Sequence, residues 1–159
     1  NGWLDGAAIQ LAAHGRHHDP ARAPALFATA VVGNRIRRPH AFRTGFDHPV
    51  LAAGGLLVGH MTGRRGAPPG ERELAGAGIS HTIVAGNQIA FTPIGIHVGQ
   101  GARKTLVLHN TFQEVDSPLL DAAGADTLPR GNRVVRVIPG GVQATELTDA
   151  PERAEGPGS

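Results

Sequence analysis

The chain of 159 residues contains no cysteine. Disulfide bonds, zinc sites with cysteine ligands and thiol catalysis are therefore excluded. Aromatic side chains are scarce, with five Phe, one Trp and no Tyr. No apolar run approaches the roughly 20 residues that a membrane-spanning helix needs, and no signal peptide is recognised. We therefore expect a soluble protein, with its compartment left open.

The sequence also lacks complete catalytic motifs. Its only serines are Ser80, Ser117 and Ser159, and none stands in the G-x-S-x-G pattern of a nucleophile elbow. The glycine-rich stretches neither lead from a strand into a helix nor carry the Lys-Ser/Thr pair of a phosphate-binding loop. We therefore predict a protein that is not an enzyme and binds no cofactor.

Turn-forming residues, in contrast, are abundant, with 23 Gly and 12 Pro. This density favours many short segments over long helices. We predict one β-rich domain over residues 1–148, followed by a polar, acidic C-terminal tail over residues 149–159.

The stretch 79–115 is rich in Ile, Val, Thr and Phe, the residues that favour strands. Its strand-like runs are Ile79–Val84, Gln88–Val98 and Ala102–Val115. Two three-residue breaks that contain glycine separate the runs, which is typical of hairpin loops. These features predict a central antiparallel meander within an all-β sandwich or jelly roll that has at most short helical turns. A closed barrel is the next choice.

Side chains alternate between the two faces of a strand, so the meander predicts two surfaces. The predicted core face holds Val84, Ile94, Ile96, Val98, Leu106, Leu108 and Phe112. The opposite, mixed face is the predicted association face, and it holds Ile79, Ile83, Ile89, Phe91 and Val107.

The segments before the meander are shorter. Ala7–His14 is predicted as a short helix, because Ala, Gln and Leu favour one. Gly33-Asn34 is predicted as a turn from which Arg35–Phe42 returns as a strand. Val50–Thr62 is predicted as a buried strand, since three internal glycines disfavour a helix.

The segments after the meander are predicted from their turn residues. Asp116–Asn132 is expected to be turn-rich, with Ser117 able to cap a brief helical turn. Arg133–Ile138 and Val142–Thr148 flank Pro139-Gly140-Gly141 and are predicted to form a hairpin. No internal repeat is recognised.

Formal charge is divided unevenly along the chain. Residues 1–110 hold 11 Lys/Arg and 5 Asp/Glu, whereas residues 111–159 hold 4 and 8. This split favours self-association with the charged segments setting orientation, and it is equally compatible with ordinary surface variation. Arginine binds phosphate and carboxylate groups through its planar fork. The candidate anion- or partner-binding residues are Arg35, Arg37, Arg38, Arg64 and Arg65.

Nine histidines raise the question of a metal site. His14, His17 and His18 lie together beside Asp19, but in a loop without the helical spacing of a metalloprotease motif. We therefore predict no metal. In the expected register, His81, Phe91 and His109 form one row across the meander, which predicts ring packing.

One short run has a family resemblance. The pattern T-x-F-x-x-P-[IV] is formed by Thr44, Phe46, Pro49 and Val50. It resembles a run in the MaoC-like hot-dog hydratases, and residues 17–23 faintly resemble the segment that precedes it. In that family a catalytic His follows the run and a catalytic Asp lies upstream. Here those positions are Ala52 or Ala53 and Ala12, so the resemblance implies a hot-dog fold without the catalytic pair.

Together these features predict a structural, non-enzymatic association module, such as a capsid, coat or decoration-type subunit in a symmetric assembly. Its partners would be copies of itself or a larger coat protein, and it would be a component of a particle or virion. The alternatives are a hot-dog or barrel enzyme or ligand-binding protein, and a module that binds anions or nucleic acid. No membrane partner is expected.

Overall fold

The computed structural model describes residues 8–12, 26–37, 54–61, 74–122, 126–147 and 152–153. Every regular element in these ranges is a β-strand, so the prediction of an all-β protein is confirmed. The strands are β1 (Ile9–Leu11), β2 (Leu26–Phe27), β3 (Ala30–Val32), β4 (Arg35–Arg37), β5 (Gly54–Val58), β6 (His60–Met61), β7 (Leu74–Ala75), β8 (Ile79–Ser80), β9 (Ile83–Ala85), β10 (Gln88–Val98), β11 (Thr105–Leu108), β12 (Thr111–Asp121), β13 (Thr127–Arg130), β14 (Arg133–Ile138), β15 (Gly141–Glu146) and β16 (Glu152–Arg153).

The long strands pair in parallel, and each belongs to a successive coil of the chain. Gln88 of β10 lies opposite Thr111 of β12, which lies opposite Arg133 of β14. The offsets between these partners are 23 and 22 residues, which is one full coil of the chain. Parallel neighbours need a connection of at least a dozen residues, and the rest of each coil supplies it. The chain therefore winds as a parallel β-solenoid.

Each coil contributes to three walls around one core. The first wall is the sheet β13-β11-β9-β3. The second wall contains β4, the first residues of β10 and β12, and the pair β14 and β15. The third wall contains β1, β5, the later residues of β10 and β12, and β16.

The predicted antiparallel meander is wrong, because β9 pairs in parallel with β11, and β10 with β12. The first break that suggested a hairpin loop is a bend at Gly86, which takes a left-handed φ of 62°, and the second is a turn at Gly101, with a φ of 79°. Phe91 and Glu114, which lie inside two of the predicted strand runs, take φ values of 57° and 49° and bend β10 and β12. One left-handed residue between extended segments turns the chain into the next wall without reversing it onto the preceding strand.

The core is filled by stacked side chains from all three walls. Val31, Val84 and Val107 come from the first wall and lie at successive coil positions. Ile89 and Phe112 form a similar stack in the second wall. Packing is dense enough that a Cβ on Gly95 would lie 2.6 Å from the Phe112 ring. Glycine is required there by contact, because its backbone passes directly over the ring.

A ladder of asparagines follows the bend between the first and second walls. Asn34, Asn87, Asn110 and Asn132 occupy equivalent positions, and the last three are fully buried. The side-chain Nδ2 of each donates to Oδ1 of the next, from Asn34 through to Asn132, at 3.0 Å. Nδ2 of each buried asparagine also donates to a backbone carbonyl of the preceding coil, at 2.8–3.0 Å. The acceptors of Asn87, Asn110 and Asn132 are Val31, Val84 and Val107, respectively. These bonds satisfy buried amides and fix the register between coils.

Two predicted local structures before the meander are corrected. Ile9–Leu11 lies in the predicted helix 7–14 but forms a strand, because it pairs in parallel with β5. β4 pairs with β10 of the next coil, so it does not return along β3 as a hairpin. The predicted buried strand in 50–62 is confirmed as β5, whose Leu56–Val58 are fully buried.

The structure also differs from two expectations after the meander. β12 continues through Ser117 to Asp121 and β13 follows, so 116–132 is largely strand, since parallel pairing with β10 and β11 extends across it. The statement that no repeat exists is wrong, as the coil registers show. The hairpin after Ile138 is confirmed by the antiparallel pairing of β14 with β15. Within the expected tail, β16 pairs with Leu120 and Asp121 of β12.

Candidate association surfaces

The outer side of the first wall carries an apolar surface. Inward residues of this wall are buried, so the alternating residues point outward. Val32, Ile83 and Leu128 are 60%, 39% and 50% exposed. We define the outer stripe as Ala30, Val32, Ile83, Ala85, Leu106, Leu108 and Leu128. One straight column of the stripe crosses all four strands of the wall, and a second crosses three.

An aromatic pair lies at the corner where the chain enters this wall. The rings of Phe27 and His81 are 4.7 Å apart and tilted by 54°. Ser80 Oγ lies 2.7 Å from Nδ1 of His81, which fixes the imidazole. Phe27 is an exposed apolar side chain. The corner therefore adds a rigid, partly apolar edge to the outer stripe.

The border of the outer stripe is charged. Lys104 and Asp126 occupy equivalent, exposed positions in successive coils at the same corner. Exposed Arg130 ends the column that contains Val32. A short apolar surface with charges of both signs at its border has the general composition of an association site.

The predicted association face is not brought together. Ile79, Ile89 and Val107 are fully buried in the core. Phe91 is half-buried, and only Ile83 of this set points outward from the first wall. The predicted core face is partly formed: Val84, Ile96, Val98 and Phe112 belong to the core. The prediction is wrong for Leu106 and Leu108, which lie on the outer stripe. The parallel coil register decides these positions, and the assumed hairpin register could not.

The candidate arginines are only partly within the described residues, since Arg38, Arg64 and Arg65 lie outside them. Arg35 and Arg37 point outward from β4, on either side of buried Ile36. Nε of Arg35 donates to Oε1 of Gln88 at 3.2 Å. The guanidinium of Arg37 lies 5.1 Å from the centroid of the Phe91 ring. Both arginines are thus held against neighbouring side chains of the second wall.

The histidines that the structure describes do not converge. His14, His17 and His18 lie outside the described residues. The predicted row is not formed, because His81 contacts Phe27 whereas Phe91 lies beneath Arg37. Among the described residues, no group of three or more His, Asp or Glu side chains could hold a metal ion.

His97 lies in the third wall, between Leu57 and Leu120 of the adjacent strands. Its Nδ1 is buried without a hydrogen-bond partner. Burial lowers the pKa of His97 to about 4, because the imidazolium would lose its hydration. His97 is therefore a neutral packing residue at neutral pH.

The hairpin of β14 and β15 ends the described solenoid. Residues 136–146 are exposed, including Val137 and Val142, which are 62% and 68% exposed and lie opposite each other. A groove of about 270 Å³ runs along the other side of the hairpin and is lined by Val134, Arg136, Gln143, Thr145, Glu146 and Leu147. The hairpin thus places apolar residues on one side and mostly polar residues on the other.

A repeated pattern in the sequence would have located these surfaces. T-x-[VP]-x-[GH]-N occurs four times, starting at Thr29, Thr82, Thr105 and Thr127. In each copy the third residue enters the core, and the second and fourth point outward from the first wall. The unequal spacing between copies, and the replacements of Gly by His and of Val by Pro, conceal the pattern.

Comparison of the chain with protein-family models, with curated proteins and with solved structures gave no match. The run that resembles the MaoC-like hydratases lies at 44–50, outside the described residues. In the described part of the chain, no helix has the length and apolar character needed to cross a membrane.

Proposed function

We propose that this protein is a non-enzymatic association module, a β-solenoid subunit of a larger symmetric assembly such as a coat or capsid. The observation that carries the proposal is the outer stripe. Its most exposed members, Val32, Ile83 and Leu128, come from three different strands of one sheet. Contiguous exposed apolar surface of this kind marks protein contacts.

The occupant that we propose for the outer stripe is the same stripe on a second copy. Its columns are straight and follow the strand spacing of about 4.8 Å, so two copies can pack face to face in register. Packed sheets lie about 10 Å apart, which two layers of Ile, Leu and Val side chains fill. Lys104 and Asp126 at the border would fix orientation more than they add affinity.

The size of the outer stripe supports an assembly with several contacts. Four strands span only about 14 Å along the solenoid axis. A stable two-body interface buries about 800 Å² on each partner, which is more than this stripe offers. Several weak contacts acting together reach useful avidity in a closed assembly. The stripe is therefore proposed as one of at least two contacts for each subunit.

The test compares the solution mass of three proteins by light scattering across a range of concentrations and salt. Leu128→Lys places a charge in the outer stripe, whereas Gln100→Lys places the same charge at an exposed turn outside it. We expect the wild type and Gln100→Lys to assemble alike, and Leu128→Lys to lose the higher assemblies. Equal masses for Leu128→Lys and the wild type at all concentrations would refute the proposal.

A second candidate function is anion binding on the outer side of the second wall. Arg35, Arg37 and Arg133 all project from this side, although Glu146 lies opposite Arg133. The test is the salt dependence of binding to a single-stranded oligonucleotide. Arg35→Gln should make the plot of log binding constant against log salt concentration less steep, by about the amount that one phosphate contact contributes. Arg103→Gln, at an exposed position elsewhere, should leave that slope unchanged. An unchanged slope for Arg35→Gln excludes this use of β4.

A further inference from the structure

The outer edge of β15 is an open strand edge. Among the described residues β15 pairs only with β14, and all six of its residues are exposed. The antiparallel pairing continues one residue beyond Glu146, where the Leu147 amide donates to the carbonyl of Asn132 at 2.9 Å. Leu147 packs against the core. Within the described ranges, no strand therefore pairs with the row of N–H and C=O groups along the far side of β15.

The other edges in the described part of the chain are short or protected. β13 contains Pro129, which has no N–H to donate. β3 and β4 have three residues each, and β4 carries two arginines. β15 has six residues, with neither proline nor a basic residue. Protein edges are ordinarily guarded against pairing by proline, lysine, bulges or shortness, and β15 lacks all of these.

We propose that β15 pairs antiparallel with β15 of a second copy, so that the second walls of two solenoids form one continuous sheet. This inference rests on the proposed association function and supplies the second contact that the outer stripe requires. The pairing is isologous, with a two-fold axis perpendicular to the sheet.

One register brings like side chains together. Val142 and Ala144 share a face of the hairpin with Val135 and Val137, their partners in β14. A two-fold axis through Gln143 places Val142 opposite the partner's Ala144, so the apolar faces of both hairpins merge. Gln143 lies opposite its own copy on the other face, where the two side-chain amides can bond. Apolar cross-strand pairs each contribute about 0.2–1 kcal/mol over Ala–Ala pairs. An axis through Val142 would pair only residues 141–143 of the strand, and one through Ala144 would set Val142 opposite Glu146, so strand overlap and apolar matching together favour the axis through Gln143.

The absence of cysteine from the chain permits an unambiguous cross-linking test. In this register the two copies of residue 143 are directly opposite, with Cα atoms about 4.5–5.5 Å apart. A disulfide requires a Cα separation below about 7 Å. The two copies of residue 145 are offset by four residues, about 14 Å along the strand. Gln143 and Thr145 are both exposed and lie on the same face, so Thr145→Cys is a matched control.

Both variants are oxidised with glutathione at low micromolar concentration, and covalent dimer is followed by non-reducing electrophoresis. We expect Gln143→Cys to form dimer at least tenfold faster than Thr145→Cys. Adding Val142→Lys and Ala144→Lys to Gln143→Cys should abolish that advantage. Equal rates for the two cysteine variants, faster reaction of Thr145→Cys, or no dimer from either would overturn the proposal.

The two contacts can fail separately. Gln143→Cys combined with Leu128→Lys should still cross-link, because the outer stripe lies on the first wall. If that protein cross-links but Leu128→Lys alone still forms higher assemblies, the stripe proposal fails and the edge pairing stands. If Gln143→Cys does not cross-link while Leu128→Lys loses its assemblies, the edge pairing fails alone.

Discussion

Asn87 and Asn110 are joined through a single buried oxygen. Oδ1 of Asn110 accepts hydrogen bonds from both the backbone N and the side-chain Nδ2 of Asn87, each at 3.0 Å. Nδ2 of Asn110 in turn donates to Oδ1 of Asn132 and to the Val84 carbonyl. The ladder therefore ties each coil to the next at the bend where the chain leaves the first wall.

Asn110→Ala should be strongly destabilising. The substitution leaves the buried amide of Asn87 and the carbonyl of Val84 without side-chain partners, and each such loss costs about 1–3 kcal/mol. We expect a loss of about 3 kcal/mol or more in the free energy of unfolding, measured with urea. Asn34→Ala, at the half-buried first rung, should cost less than half as much. Equal losses would show that the ladder does not act through burial.

Gly95→Ala should destabilise by overpacking. The added Cβ would approach the carbonyl of Pro118 and lie 2.6 Å from the Phe112 ring. Forcing extra volume into a packed core costs about 1–3 kcal/mol. The control is Gly86→Asn, at a φ of 62° with nothing near its Cβ, where asparagine tolerates the left-handed conformation. Thermal unfolding should show a lowered Tm for Gly95→Ala only, and a lower Tm for the control would contradict the argument.

Replacing threonine by valine should have opposite effects at buried Thr105 and at the equivalent, half-buried Thr127. Oγ1 of Thr105 is buried without a hydrogen-bond partner, so Thr105→Val removes an unsatisfied hydroxyl. We expect a neutral to stabilising change of up to about 1 kcal/mol. Oγ1 of Thr127, one coil further, donates to Oδ1 of Asp121 at 3.1 Å, so Thr127→Val should destabilise. The free energy of unfolding of both variants is measured with urea. A loss of stability in Thr105→Val would contradict the prediction for the unsatisfied hydroxyl.

His97 should make the fold acid-sensitive. Its pKa of about 4 lies below the ordinary value of about 6.5, so the unfolded chain takes up a proton first as the pH falls. The stabilisation from neutral His97 is fully present above about pH 6.5 and is lost progressively down to about pH 4. The loss is on the order of 3 kcal/mol across that window.

His97→Leu tests this dependence, since leucine matches the flanking Leu57 and Leu120. We expect this variant to keep more of its stability than the wild type between pH 7 and pH 4.5 in urea titrations. The assignment is wrong if His97→Leu retains the wild-type pH slope.

The sequence alone determined the strand class and some of the core. Runs rich in β-branched residues, together with abundant glycine and proline, were sufficient to predict an all-β chain. Alternation correctly placed Val84, Ile96, Val98 and Phe112 inside, but it also placed Leu106 and Leu108 there, because the assumed hairpin register set which face of each run pointed inward. The hairpin after Ile138 was also predictable, because Pro139-Gly140-Gly141 is a local turn signal.

Tertiary structure alone decided which strands pair and which side chains meet. Gly86-Asn87 is compatible with a hairpin loop, but the buried amide of Asn87 finds its partners at Val31 and Asn110, on two other coils. Once those distant bonds form, the chain bends forward, and Ile89 turns inward whereas Ile83 remains outside. Local propensity specifies an extended backbone, whereas parallel register depends on contacts more than 20 residues apart, which no short pattern encodes.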